Sequence, residues 1–160
     1  GFKFLNEFLL SLSKKNQKKI YLIDPSYKQS IINKNYLQSK KINKIYQYVA
    51  PIYKKNKIYD LKLVNKINKT KPKYIMINLG SGTQEVLGNY LKKNLNYKPS
   101  IICTGAAISY FTKQQAPLTN FLDFMFLGWL VRIIFNPIIF LPRYLLAFKL
   151  FFLVWNAKIQ

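Results

Sequence analysis

Residues 74–95 read Tyr-Ile-Met-Ile-Asn-Leu-Gly-Ser-Gly-Thr-Gln-Glu-Val-Leu-Gly-Asn-Tyr-Leu-Lys-Lys-Asn-Leu, and this stretch decides the fold. Tyr74 to Leu79 is an apolar run of strand length. Gly80-Ser81-Gly82 then turns the chain, because glycine adopts positive φ without a steric penalty. Ser81 and Gln84 stand at capping-box spacing, and Val86, Leu87, Tyr90 and Leu91 follow at helical spacing. The stretch predicts a strand, a tight turn and a helix. Such a turn aims backbone N–H groups and the positive end of a helix dipole at one place, which suits a phosphate or pyrophosphate. It lacks the third glycine of the dinucleotide fingerprint and the Gly-Lys-Ser/Thr ending of a P-loop. A ligand-binding turn and a plain strand-to-helix connection fit the pattern equally.

The same alternation runs outward on both sides. Phe2 to Leu12 carries apolar residues at helical spacing. Ile20 to Ile23 reads as a strand closed by Asp24-Pro25-Ser26, a turn and helix-start signal, and Tyr27 to Leu37 as a helix. Lys44 to Val49 is a second strand, stopped before Pro51, and Ile58 to Ile67 a helix with apolar spacing at 58, 61, 64 and 67. After the central stretch, Ser100 to Cys103 makes a fourth strand, followed by Thr104-Gly105 and a helical start at Ala106. Alternation of this kind predicts an α/β fold with a parallel sheet covered on both faces. Ligands of such sheets bind beyond the C-terminal strand ends, where Gly80-Ser81-Gly82 and Thr104-Gly105 both fall. The two turns are expected to face one crevice.

Composition narrows the chemistry. The 160 residues carry a formal charge of +21, and 17 of the 26 basic residues lie between Lys14 and Lys73. A surface of that kind draws nucleic acid or an anionic membrane face. A general abundance of Lys, Asn, Ile and Tyr accounts for scattered lysines equally well. No histidine is present, which excludes histidine-ligated metal, Ser-His or Cys-His catalysis and a histidine base. The five carboxylates are Glu7, Asp24, Asp60, Glu85 and Asp123, too few for a carboxylate-rich metal site. The single cysteine, Cys103, rules out an internal disulfide and is expected to be a buried, inert thiol in its apolar run.

Composition shifts after Pro117. Residues 118–155 are dense in Phe, Leu, Ile and Trp, with Asp123, Arg132, Arg143 and Lys149 as the charges. A spanning helix needs ~20 consecutive apolar residues, and here charges, Pro137 and Pro142 interrupt sooner. Two readings remain: helices lying in a membrane interface, where Trp, Tyr and basic residues belong among apolar ones, or a helical pair closing the domain. The domains are accordingly expected at 1–117 and 118–160.

Several spaced blocks resemble the WecG/TagA/CpsF family of bacterial glycosyltransferases. Leu79-Gly80-Ser81-Gly82-Thr83-Gln84-Glu85 is similar to the family's Leu-Gly-Ser-Pro-Lys-Gln-Glu turn. Gly105-Ala106-Ala107-Ile108-Ser109 resembles Gly-Ala-Ala-Phe-Asp, and Ala116-Pro117 matches an Ala-Pro pair. Leu127 to Arg132 resembles Leu-Glu-Trp-Leu-x-Arg, and Pro137 with Arg143-Tyr144 completes the series. Looser likeness extends over 1–72, where Gly1-Phe2-Lys3-Phe4 echoes a Gly-x-Asp-Leu helix start. The resemblance implies a Rossmann-like fold with no metal. It implies transfer of an N-acetylmannosamine-type sugar from a UDP-sugar to a polyprenyl-diphosphate-linked acceptor, for teichoic acid or other cell-surface polysaccharide. It also implies a C-terminal appendage on the inner face of the cell membrane. By resemblance Gly80, Ser81, Gly82 and Thr83 form the turn near the pyrophosphate. Gln84, Glu85 and Gly105 would lie at the nucleotide-sugar site, with Arg132 and Arg143 meeting a diphosphate, a task that suits arginine's planar fork.

The departures bear on activity. The family's base aspartate lies upstream of the matched region, and Ser109, Gly128, Asn136 and Thr83 replace an aspartate, two glutamates and a lysine. Glu85 is then the carboxylate nearest the turn able to take the acceptor proton, and a helix-first-turn acid is its structural alternative. The expectation is a glycosyltransferase, peripheral on the cytoplasmic face, with this chain either a truncated or a degenerate member of the family. A non-catalytic membrane-surface remnant of the fold is the second reading. A nucleic-acid binder, with Tyr21, Tyr27, Tyr36, Tyr46, Tyr48 and Tyr53 among the lysines, is the third, and no nucleic-acid motif supports it. The open sheet and the apolar tail also favour a homo-oligomer.

Overall fold

The computed structural model describes residues 2–14, 19–54, 58–112 and 128–156. The chain divides into two units, Gly1–Thr112 and Lys113–Gln160. In the first, four parallel strands are separated by helices, the α/β architecture the alternation predicts. They are β1 (Ile20–Asp24), β2 (Ile45–Val49), β3 (Tyr74–Ile77) and β4 (Ser100–Cys103). Helices α1 (Phe2–Lys14), α2 (Tyr27–Ser39), α3 (Leu61–Thr70), α4 (Thr83–Asn94) and α5 (Ala107–Phe111) flank them. The sheet order is β2-β1-β3-β4, every neighbouring pair parallel. The order reverses between β1 and β3, so the crevice of a doubly wound sheet opens beyond their C-terminal ends.

Side-chain alternation along each strand builds two cores. Tyr21, Ile23, Ile75 and Ile77 pack with Leu63, Val64 and Ile67 of α3 and with Leu87 and Leu91 of α4. Ile20, Leu22 and Met76 pack with Leu5, Leu9 and Leu12 of α1, Leu37 of α2 and Ile108 of α5. Both faces are therefore covered, as a parallel sheet requires. Burying a leucine contributes about 1.5–3 kcal/mol, against about 1 kcal/mol for a helix cap. Leu87 and Leu91 are fully buried, so packing on the sheet, more than the glycine turn, positions α4.

Three local expectations are corrected. The helix expected from Ile58 begins at Leu61, because the Asp60 carboxylate caps it by accepting the Leu63 N–H at 2.9 Å. Its buried face is Leu63, Val64 and Ile67, and Leu61 is exposed. The cap of α4 is Gly82, at φ 86°, and not Ser81. Glycine has no side chain, so the box is closed from one side, by Gly82 N–H donating to Glu85 Oε2 at 2.6 Å. Cys103 is exposed rather than buried, because β4 forms an edge of the described sheet.

In the second unit, α6 (Gly128–Phe135) is followed by α7 (Pro137–Asn156). Pro137 occupies the first position of α7, where its missing N–H is harmless, and Phe140 N–H donates to the Asn136 carbonyl at 3.1 Å. Pro142 breaks the apolar run but not the helix, and α7 runs through it. Proline deprives one carbonyl, that of Ile138, of its helical donor and leaves the rest of the ladder intact. No described helix is long and apolar enough to cross a membrane. Ile134, Ile138, Leu145, Leu146 and Val154 are all exposed. Ala116-Pro117, Asp123 and Leu127 fall outside the described residues, as do Lys15 to Lys18.

Candidate active site

The cross-sheet rows show where the core ends and chemistry begins. On the face covered by α1, α2 and α5, Leu22 of β1 pairs with Met76 of β3, which pairs with Ile102 of β4. Two residues further along each strand the same row becomes Asp24, Asn78 and Thr104, all polar. This row lies at the C-terminal strand ends, beside the β1/β3 reversal.

Asp24 is 0% exposed, and a buried carboxyl needs partners. Oδ1 accepts the Nδ2 groups of Asn78 and of Asn33 on α2, both at 2.7 Å. Oδ2 and Asn33 Oδ1 are buried without a hydrogen-bond partner. Burial pushes the Asp24 carboxyl above its usual range, and the Asn78, Asn33 and Ser30 side chains oppose the rise. Ser30 is itself held by Gln47 of β2, whose Nε2 donates to the Ser30 hydroxyl at 2.6 Å and carbonyl at 2.7 Å. This explains α2, which has no apolar stripe to read. It buries Ser30 and Asn33 against the polar row and only Leu37 against the core.

Beyond β4 the chain turns at Thr104-Gly105. The Ile77 carbonyl accepts the N–H groups of Thr104 at 3.0 Å and Gly105 at 3.2 Å. The Thr104 hydroxyl bonds to Asn78 Oδ1, completing a chain from Asp24. Gly105 adopts φ 53°, a left-handed conformation that favours glycine. A Cβ there would lie 3.4 Å from Gln84 Oε1, so the Gln84 amide rests against this turn.

Gln84 Nε2 donates to Glu85 Oε1 at 2.8 Å, which leaves Gln84 Oε1 buried and without a partner. Glu85 is exposed, and the Gln84 and backbone hydrogen bonds lower its pKa. Its Oε2 takes the Gly82 N–H, so the carboxylate already sits on the positive end of α4. The expected residues Gly80, Ser81, Gly82, Thr83, Gln84, Glu85 and Gly105 thus gather along one edge of the first unit. Arg132 lies on α6 and Arg143 on α7 of the second unit, the Arg143 guanidinium 5.9 Å from the Phe140 ring centre.

Sequence reasoning placed Thr104 in a crevice turn without giving its hydroxyl a role, and missed Asp24, Asn33 and Asn78. The usable signal was a helix without an apolar face following a strand that ends in aspartate. Asp60, the other buried carboxylate among the described residues, has a structural role: besides capping α3 it accepts the Tyr48 and Tyr53 hydroxyls at 2.8 and 2.7 Å. Although the residue is exposed, partial desolvation of its Sγ beside the Gln84 carbonyl raises the Cys103 thiol, with the Glu85 charge adding to the rise, which disfavours the thiolate. Among the described residues no cluster of three metal-ligating side chains occurs.

A search of curated proteins returns no match. The profile of the glycosyl transferase WecG/TagA/CpsF family matches residues 1–160. With the parallel sheet, the polar row at its C-terminal edge and a match over the full length given, the chain belongs to the glycosyl transferase WecG/TagA/CpsF family.

Proposed function

We propose that the chain acts on a UDP-sugar of the N-acetylmannosamine type and passes the sugar to a polyprenyl-diphosphate-linked acceptor. The product would enter teichoic acid or another cell-surface polysaccharide. The observation that carries this reading is Gln84 Oε1, a buried acceptor without a partner at the C-terminal edge of a parallel sheet, in a chain of a glycosyltransferase family. Gly80 to Thr83 form the turn beside the donor diphosphate, and Glu85, which holds the Gly82 N–H, yields that donor to it. Arg132 and Arg143 meet the acceptor diphosphate, and the exposed Ile and Leu of α6 and α7 rest on the inner face of the membrane.

In the transfer, the acceptor hydroxyl oxygen attacks the anomeric carbon and the bond to UDP breaks with its electron pair leaving on UDP. Glu85 takes the hydroxyl proton. It is ionised at neutral pH, as a base must be, though its lowered pKa makes it a weak one. Its engagement as the α4 cap favours a second reading, a chain that binds the donor without turning it over.

Gln84→Ala tests the donor site. Calorimetry with UDP-N-acetylglucosamine as probe is expected to show affinity at least about fivefold weaker, the effect of one lost hydrogen bond of about 1 kcal/mol. Unchanged affinity in a folded variant would remove the donor-site reading. Binding without transfer to a lipid-diphosphate acceptor would select the second reading.

A further inference from the structure

Asp24, Asn78 and Thr104 come from three strands and share one row, and each fixes the next. An ionised or neutral carboxyl offers Oδ1 as an acceptor, so the Asn78 amide must present its Nδ2 to Asp24. Asn78 Oδ1 then faces Thr104. The Thr104 hydroxyl has one proton and two neighbouring acceptors, Asn78 Oδ1 and the Ile77 carbonyl. The Ile77 carbonyl already accepts two backbone N–H groups, so the proton goes to Asn78. The hydroxyl's lone pairs are left for the crevice, where Thr104 is partly exposed.

We infer that Asp24 is a positioning residue that sets the polarity of this relay, so that Thr104 offers a hydrogen-bond acceptor to a hydroxyl or N–H of the bound sugar. The inference rests on the nucleotide-sugar reading and adds to it which part of the donor meets this corner. Gln84 Oε1, the neighbouring acceptor beside Gly105, also lacks a donor. A hydroxyl left as an acceptor repels a phosphate oxygen and matches a neutral donor group. The sugar, and not the diphosphate, therefore lies toward Thr104. Asp24 has no direct route to the ligand, since its whole side chain is buried, and acts only through Asn78.

The variants separate the relay from its outlet. Thr104→Val keeps the shape and removes the hydroxyl, Thr104→Ser restores it, and Asp24→Asn keeps an acceptor oxygen for Asn33 and Asn78. Calorimetry on the full chain compares UDP with UDP-N-acetylglucosamine. Thr104→Val is expected to weaken the sugar nucleotide about fivefold to tenfold, one hydrogen bond, and leave UDP unchanged. Thr104→Ser and Asp24→Asn are expected to bind like the parent chain, and Asn78→Leu like Thr104→Val. Equal weakening of UDP and the sugar nucleotide by Thr104→Val, or none, overturns the inference. In the ligand-free chain, Thr104→Val is expected to shift the NMR signals of the Asn78 side-chain amide, and unmoved signals overturn the relay. If those signals move while the parent chain binds neither nucleotide, the nucleotide-sugar reading fails. The outlet to the sugar is then refuted with it.

Discussion

Replacing Asp60 with alanine tests how the core under α3 and α4 is tied to β2. Asp60 is 8% exposed and its carboxylate serves three donors from different parts of the chain. Oδ1 caps α3 through Leu63 N–H, while Oδ2 accepts the hydroxyls of Tyr48, at the end of β2, and Tyr53, in the following loop. Losing the cap costs about 1 kcal/mol. The Tyr48 hydroxyl is buried, and stranding it without a partner costs about 1–3 kcal/mol. Tyr53 is half-buried, so water replaces the carboxylate there and the loss is about 0.5–1 kcal/mol. The sum is roughly 2.5–5 kcal/mol, a large share of the ~5–15 kcal/mol that holds a typical domain together. Urea unfolding followed by far-UV circular dichroism reads it directly. Asp60→Asn keeps the cap oxygen, and its amide nitrogen can donate to a tyrosine hydroxyl, so it is expected to cost less than half as much. An Asp60→Ala loss below about 1 kcal/mol would show that the tyrosines find other partners. It would refute the claim that this carboxylate ties β2, its loop and α3 together.

Two further outcomes follow from the crevice. Because the Asp24 carboxyl is raised in the folded chain, its contribution to stability is complete below the unfolded value near 3.8 and is lost as pH rises through the folded value. Asp24→Asn lacks that loss. Its stability relative to the parent chain is expected to climb from about pH 4 toward neutrality, and a difference independent of pH in urea titrations would contradict it. Gly105→Ala forces a side chain into φ 53°, a strain of about 1–2 kcal/mol, and places its Cβ 3.4 Å from Gln84 Oε1. Both the melting temperature and UDP-N-acetylglucosamine affinity are expected to fall. Gly80→Ala is the stability control, since a Cβ there meets nothing within 4 Å. Equal melting temperatures for the two variants would show that the Gly105 turn carries no strain.

Much of the first unit was legible because its signals are local. The apolar runs at 20–23, 74–79 and 100–103 mark strands whatever their neighbours. The heptad-like spacing of Leu5, Leu9 and Leu12 or Leu87 and Leu91 marks a buried helical face just as directly. The glycine turn at 80–82 and the Thr104-Gly105 turn were placed at strand ends by the same reasoning, and the structure puts them there. The boundaries that failed turned on partners. Ile58 looked like the first position of α3 until the Asp60 cap set the start at Leu61. Cys103 looked buried because an apolar run does not reveal whether its strand is central or at an edge.

The sequence by itself determined the class of fold, the order of its elements and which turns face the crevice. Periodicity and glycine placement express backbone sterics and burial one residue at a time. Only the tertiary structure decided that Asp24 is a buried, partnered carboxyl and not a turn residue. Asn78, 54 residues away in the chain, reaches it across neighbouring strands, and Asn33 reaches it from α2. Hydrogen bonds between distant residues leave no period in a sequence. They exist once the strands align, and the polar row at the end of the sheet is a product of that alignment.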